Sequence, residues 1–411
     1  MSAARQSQAR PWLTLIGIGE DGADGLASPA RALIAGASLV AGGSRHLHLA
    51  APLIRGETLA WPKPMTDAYP AILARAGSDV VVLASGDPYC FGVGTALAAL
   101  IPAAEIACIP APSAFALAAA RLGWAQQDLT TISFCGRPLE AIVPLLHPGA
   151  RVLALSADAS TPGAVARLLV ERGFGPSMLH VMEALGGPRE RVRSGLARSG
   201  VPADIGPLNL LAAELAASPD AVVLPLAPGL PDALFENDGQ LTKQEVRAMT
   251  LAALAPCPGE LLWDIGAGSG AVSIEWCLRG RGTRALAVEA RPDRAARAAR
   301  NALSLGAVAV DIVAGRAPSV LAGLPPPDAA FIGGGLQGEG VLDATWAALR
   351  PGGRLVANAV ALDTQGLLFD AQARFGGTLS RIAVERLDQI GTMRAFRPAM
   401  AVVQWAVTKR G

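Results

Sequence analysis

The sequence predicts a chain of α/β class in two domains, the second a doubly wound sheet of seven strands, and three observations predict it. Two apolar strands each run into a glycine-rich turn, at residues 12–19 and 260–270. Around them, short β-branched runs alternate with Ala/Leu/Arg stretches of helical character, the pattern of largely parallel sheets covered by helices. At 411 residues the chain exceeds what one core usually organises, and the Pro/Gly-rich stretch 225–231 interrupts the alternation. The domains are therefore expected over residues 1–230 and 231–411.

In chain order, strands are expected at 38–40, 79–84, 105–109, 152–155 and 221–224. Beyond the boundary, 242–254 reads as a helix, followed by strands at 261–264, 285–289, 310–313, 329–332 and 354–358. Residues 379–387 and 399–407 read as two last strands joined by a loop that includes 390–396, which completes seven strands with an antiparallel edge.

Composition narrows the function classes. Apolar residues make up 51% and charged residues 17%, which excludes a disordered chain, and no uninterrupted apolar run reaches the roughly 18 residues of a membrane span. With 35 Lys plus Arg against 34 Asp plus Glu, neither nucleic acid nor a membrane surface is expected as a partner, and a small molecule is. Five cysteines, at 90, 108, 135, 257 and 277, hold no C-x-x-C pair and leave one over, the usage of reduced thiols in a cytoplasm. The first residues carry Arg without the apolar core of a signal peptide and are expected to form a short frayed tail. His46 and His48 stand two apart, and His147 and His180 have no companion at ligand spacing, so no metal is expected. Trp61 and Trp124 are expected to pack.

In the C-terminal half, Asp264-Ile265-Gly266-Ala267-Gly268-Ser269-Gly270 follows an apolar strand and precedes a helical run. The glycines fall where the chain must turn tightly and let a ligand approach the backbone. Gly266, Gly268 and Ala271 also satisfy the dinucleotide fingerprint, so a dehydrogenase stays open. Asp264 favours S-adenosylmethionine, because dehydrogenases usually keep that strand apolar. Glu289 ends the next strand, 23 residues after Gly266, where a carboxylate can accept two ribose hydroxyls, a spacing common to both cofactors. Gly315 and Ala317, after the third strand, can floor an adenine with backbone N–H groups. All of these lie at carboxyl ends of successive strands, where open α/β sheets bind ligands.

With Leu241 to Arg247 upstream and Phe331-Ile332-Gly333-Gly334-Gly335 downstream, these residues resemble the decarboxylating precorrin methyltransferase family of cobalamin synthesis over most of 236–411. The resemblance implies a Rossmann-like domain in which Thr242, Asp264, Gly266 to Gly270, Glu289, Gly315 and Ala317 hold S-adenosylmethionine while Gly333 and Gly334 border a tetrapyrrole. Thr242 with Glu245 three positions on also reads as a helix capping box, a role compatible with ligand contact.

The N-terminal half carries Gly17-Ile18-Gly19 after a strand, Ser85-Gly86-Asp87-Pro88 after another, then Pro112-Ser113-Ala114-Phe115, Ser133 to Pro138, and Glu183 to Gly186. In that order they resemble the tetrapyrrole methylase family over about residues 11–225. The resemblance implies a cleft between two α/β subdomains that binds S-adenosylmethionine, with Gly17 among its contacts, Gly86 and Asp87 at the amino acid end, and Ser113 and Ala114 at the adenosine. The sequence departs from the family's pattern at Glu20-Asp21, at Ala114, and at Cys135 where relatives often carry His.

The two resemblances together imply two S-adenosylmethionine sites per chain, methylation of a precorrin at carbons 5 and 15, loss of the ring C acetate as carbon dioxide, and a homo-oligomer. A polycarboxylate substrate calls for cationic groups, and Arg45, Arg137, Lys243 and Arg394 are the candidates. Besides the dehydrogenase, two rival readings stand: a single methyltransferase activity on another substrate beside a non-catalytic N-terminal domain, and a sensor that binds the nucleoside without chemistry.

Overall fold

The structure, a computed structural model, describes residues 11–410; the expected tail, apart from Pro11 and Trp12, lies outside them. Two compact units divide the chain, Met1–Leu139 with His147–Val222, and Glu140–Leu146 with Val223–Gly411.

The first unit holds two five-stranded sheets. Strands β1 (Leu13–Ile18), β2 (Leu39–Gly42), β3 (Glu57–Ala60), β4 (Val80–Ser85) and β5 (Ile106–Ile109) run parallel in the order β3-β2-β4-β1-β5. Central strands β1 and β4 are nearly unbroken apolar runs because helices cover both faces, which leaves no solvent side to alternate toward. The second sheet is built from β6 (Leu129–Ser133), β7 (Arg151–Leu155), β8 (Met178–Glu183), β9 (Arg191–Leu196) and β10 (Asn209–Glu214), in the order β6-β7-β10-β8-β9.

Two expectations fail in this second sheet. Only β6 and β7 are parallel, and the other three pairings are antiparallel, so within this unit the parallel character belongs to the first sheet. The strand expected at 221–224 does not form; Val222 lies in an irregular segment whose N–H reaches Arg172 O. The sheet's central strand is instead β10, whose Asn-Leu-Leu-Ala-Ala-Glu composition favours a helix. Burial of five of its six residues between β7 and β8 overrides that local preference.

In the second unit, β11 (Leu261–Ile265), β12 (Arg284–Glu289), β13 (Val310–Ala314), β14 (Ala329–Ile332), β15 (Arg354–Ala359), β16 (Thr378–Ile382) and β19 (Val402–Thr408) form the expected seven-stranded sheet. Its order is β13-β12-β11-β14-β15-β19-β16, with β19 antiparallel to both neighbours. Order reverses between β11 and β14, the position at which doubly wound sheets open a crevice. Three fully buried tryptophans fill its two faces, and each indole N–H finds a carbonyl: Trp263 to Pro325 O, Trp276 to Arg284 O and Trp405 to Gly376 O.

The C-terminal end departs from expectation in one place. Residues 379–387 divide between β16 and a further strand β17 (Glu385–Ile390), and the expected loop is the turn and return strand β18 (Met393–Pro398) of a two-stranded hairpin. Sequence patterning misses it because the hairpin's residues are nearly all exposed, so no burial-driven alternation marks it. No helix among the described residues is long and apolar enough to cross a membrane.

Candidate cofactor and substrate sites

In the second unit the turn after β11 meets the turn after β14. Gly333 and Gly334 donate their N–H groups to Ile265 O at 3.1 and 3.3 Å, and a Cβ on Gly266 would sit 2.6 Å from Gly334 O. Gly266 also holds φ at +72°, so position 266 requires glycine on both counts. The N–H groups of Gly266 and Ala267 bond Val288 O, and that of Gly268 bonds Glu289 Oε2 at 2.8 Å. The turn therefore offers a ligand its shape and carboxylates, and four of its amides, that of Gly270 to Ala267 O included, are already engaged within the protein.

Glu289 is 6% exposed and accepts from Gly268 N and Arg291 N, one bond on each oxygen. A carboxylate has about four lone-pair directions, which leaves acceptor capacity for hydroxyls. Asp264 is buried beneath the same turn. Its Oδ2 accepts from Ser273 N and Oγ at 3.1 and 2.7 Å, and its Oδ1 is enclosed without a partner. Burial, with Glu289 adding to it against the Ser273 bonds, pushes the Asp264 carboxyl up to about 6. An orphaned buried carboxylate oxygen beneath a glycine cradle suits the ammonium of an amino acid end. These residues fit S-adenosylmethionine.

The strap 229–242 crosses this turn. Asn301 bonds Glu236 N and O with its side-chain amide and Ser269 O with the same nitrogen, which ties strap to turn. Beneath the strap lies a network that the sequence does not announce. Arg247 and Glu275 are both fully buried; Arg247 Nε donates to Glu275 Oε1 at 2.5 Å, while Glu275 accepts from Gly229 N and Leu230 N. Arg247 also reaches Asp232, Thr242 O and Leu230 O, and stacks 4.8 Å over the Phe235 ring. Thr242 is thereby held through its carbonyl. The expected capping box does not form, because the helix Gln244–Leu254 begins with Lys243 at its N-cap and Glu245 pairs with Arg386.

Gly315 N bonds Glu289 O, and Ala317 packs against the core beside β13. Lys243 is exposed at its helix start. Arg394 lies exposed on β18 opposite Gln389, in the hairpin rather than in a loop.

In the first unit a cavity of about 520 Å³ opens between the two sheets, within the range of small-molecule sites. Gly86, Ser113, Ala114 and Arg45 line it. Gly17 stands behind Gly86, so close that a Cβ would fall 1.7 Å from Gly86 O. Ser113 caps the helix Ala114–Leu122 by accepting from Ala116 N. Ser156, just after β7, and Asn209, the first residue of β10, also line the cavity with enclosed, unpartnered atoms, Oγ and Oδ1 respectively. These donors and acceptors, with the Gly17–Gly86 contact, fit a nucleoside cofactor here too.

Other expected residues stand apart. Asp87 is not among the cavity's lining residues; its Oδ1 accepts from Tyr89 N in a local turn. Arg137 sits at one remove, its guanidinium 5.4 Å over the ring of lining Phe91, which itself holds φ at +55°. Cys135 lines the cavity where the family's pattern often has histidine, its thiol 3.5 Å from Ser156 O. Trp124 is buried and Trp61 packs against the core of the first sheet, both as expected, and Trp61 also lines the cavity. His46, which the sequence marks only as a poor metal ligand, also faces it. Its signal was available in Arg45-His46 after β2, but nothing local distinguishes that dipeptide from a surface pair. Among the described residues no group of three His, Cys, Asp or Glu side chains is arranged to hold a metal.

Comparison with known proteins matches each unit separately. The family described as Tetrapyrrole (Corrin/Porphyrin) Methylases matches residues 12–199, and that described as Precorrin methyltransferase domain matches residues 233–409. A Sinorhizobium sp protein named precorrin-6Y C(5,15)-methyltransferase (decarboxylating) is 55% identical over 399 residues, 97% of this chain and 97% of that protein. Two shorter relatives match less of the chain. A Pyrobaculum calidifontis protein named probable cobalt-precorrin-6B C(15)-methyltransferase (decarboxylating) is 35% identical over 189 residues, 44% of this chain and 96% of its own length. A Salmonella typhimurium protein named cobalt-precorrin-7 C(5)-methyltransferase is 34% identical over 181 residues, 44% of this chain and 88% of its own. The chain belongs to the precorrin-6Y C5,15-methyltransferase (decarboxylating) family, with a tetrapyrrole methylase domain followed by a precorrin methyltransferase domain.

Proposed function

We propose that this chain is a bifunctional S-adenosylmethionine-dependent C-methyltransferase of cobalamin biosynthesis, with one cofactor site in each unit. It methylates a precorrin-6 macrocycle at carbons 5 and 15 and removes the ring C acetate. Carbon 15 methylation and decarboxylation are assigned to residues 231–411, and carbon 5 methylation to residues 1–230. The observation that carries this reading is the presence of two separate glycine cradles, each with an unpartnered buried polar atom beside it. The two shorter relatives support it, since each is named for one of the two positions and each matches under half of this chain.

S-adenosylmethionine, when bound, supplies an activated methyl group on a sulfonium. The protein's part is to hold the acceptor carbon in line and to exclude water. Asp264 Oδ1 would hold the ammonium and Glu289 the ribose hydroxyls, and Ser156 and Asn209 would face the ligand in the first unit. Arg45 offers a cation to the substrate's carboxylates in a cavity otherwise lined by Leu83, Phe115, Met182 and Leu210. For decarboxylation, the electron pair released with carbon dioxide passes into the protonated macrocycle, so no further prosthetic group is required.

The protein acts in a cytoplasm, in keeping with five unpaired cysteines. It assembles as a homo-oligomer, in keeping with the apolar residues Leu387, Ile390, Met393 and Phe396 that its hairpin exposes. Incubation of the full chain with precorrin-6 in its dihydro form and methyl-labelled S-adenosylmethionine tests the function. The product should carry two labelled methyl groups and lack one carboxyl. A product with a single methyl group contradicts the bifunctional reading.

A further inference from the structure

One cluster in the first unit stands outside the groups that hold the cofactor. His46, on the helix Ser44–Ala50, faces the cavity with its Nε2 2.8 Å from Ser85 Oγ and 2.8 Å from Arg45 Nη2. A guanidinium can only donate, so Nε2 is an acceptor and the neutral ring carries its hydrogen on Nδ1. That Nδ1 is enclosed without a partner, against Gly43. Arg45 Nη2 also lies 2.7 Å from Ser85 Oγ. With that Arg45 hydrogen directed to the hydroxyl oxygen, the single lone pair of Nε2 is left to take the serine's own hydrogen. Arg45 is itself fixed by an ion pair to Glu20, whose side chain is 9% exposed. Ser85 ends β4 immediately before Gly86 of the cradle and is exposed.

We propose that Ser85 and His46 form the proton-accepting pair for the methylation in the first unit, with Ser85 Oγ meeting the reacting carbon's hydrogen and His46 acting through it. The proposal rests on reading that unit as a methylating site. A bridge carbon of the macrocycle that bears one hydrogen attacks the methyl group; the carbon–carbon bond forms, the sulfur–methyl bond breaks, and its electron pair goes to sulfur. The macrocycle then carries a positive charge, discharged when the carbon–hydrogen pair returns to the ring. The proton passes to Ser85 Oγ as the serine's own hydrogen passes to Nε2, leaving an imidazolium. Arg45 Nη2, already within reach of Oγ, stays with the oxygen through the transfer.

The environment suits that role. Burial first, and then the Arg45 charge, hold His46 down at about 4, so the ring is neutral and able to accept at neutral pH. Glu20, from the turn after β1, and the thiols of Cys90 and Cys135 share the cavity. A weak base suffices because a carbon–hydrogen bond beside an iminium is a strong carbon acid. A substrate carboxylate drawn to Arg45 would also offset the charge that opposes the imidazolium. His46 is thus a positioning and relay residue, and Ser85 the group that touches substrate.

The test uses the full chain and scores each methyl position by mass spectrometry. His46→Ala and Ser85→Ala should each lower kcat for the methylation in the first unit by about 10²-fold, the usual size of a general-base contribution. KM and affinity for S-adenosylhomocysteine should stay unchanged, and so should methylation and decarboxylation in the second unit, which reports that the chain is folded. Added imidazole should restore part of the rate to His46→Ala and none to Ser85→Ala. Wild-type kcat in both variants, a loss confined to KM or cofactor affinity, or no rescue by imidazole overturns the pair. A wild-type chain that places no methyl group from its first unit overturns the underlying reading, and the proposal with it, before any variant is made.

Discussion

Arg247 Nε lies 2.5 Å from Glu275 Oε1, and neither side chain has any exposed surface. Glu275 also receives the N–H groups of Gly229 and Leu230. The pair therefore fastens the strap that carries Gln240 and Thr242 over the glycine turn of the second unit. Removing one partner strands a buried charge, which typically costs about 3–5 kcal/mol. Arg247→Met should destabilise the second unit by that order in denaturant titration. Arg247→Met with Glu275→Leu should recover only part of the loss, because the two strap amides are left without an acceptor.

Asp264 predicts a pH dependence. Its folded value of about 6 lies above the ordinary 3.8, so the folded state holds the proton more tightly than the unfolded chain. This contribution to stability is complete below about pH 4 and is lost as pH rises through about 6. Asp264→Asn escapes that loss. At pH 7.5 it should unfold with a stability higher than wild type by on the order of 2–3 kcal/mol, since each pH unit separating the folded and unfolded values is worth about 1.4 kcal/mol, and the gap should close toward pH 4. Thermal unfolding across pH 4 to 8 measures it. An ammonium placed against Oδ1 draws the value back down, so S-adenosylhomocysteine binding near pH 6 should release a proton, visible as a buffer-dependent heat.

The two cradles can be closed one at a time. A methyl group on Gly17 meets Gly86 O at 1.7 Å, and one on Gly266 meets Gly334 O at 2.6 Å while forcing a side chain into φ +72°. A non-glycine residue in that region costs roughly 1–2 kcal/mol before any clash is counted. Gly17→Ala should abolish nucleoside binding in the first unit alone, and Gly266→Ala in the second alone. Equilibrium dialysis on each variant checks the assignment.

The exposed hairpin bears on assembly. Leu387 pairs with Phe396 across β17 and β18, and both are more than half exposed. Leu387→Lys with Phe396→Lys should shift the chain toward the monomer in light scattering, with nucleoside binding retained.

Much of this was legible in the sequence where local pattern and burial agree. The strands leading into Gly17 and Gly266 are marked by apolar runs that end in glycine, and the central strand β14 of the seven-stranded sheet by a short, fully buried apolar run before Gly333. β10 was not, because Leu and Ala favour a helix until neighbouring strands bury them. The hairpin was not, because exposed strands carry no alternation. Gly86, Ser113, Asp264 and Glu289 come from strand ends and are found where their motifs put them, in cavity or cradle. His46, Asn209 and the Arg247–Glu275 pair were invisible, since their meaning depends on partners brought together only by folding: Ser85 is 39 residues from His46, and Glu275 is 28 from Arg247.

The measurement that bears most directly on the account is calorimetric titration of the full chain with S-adenosylhomocysteine. Two sites per chain are predicted, one removed by Gly17→Ala and the other by Gly266→Ala. A single site, or two that both vanish with one substitution, would contradict it.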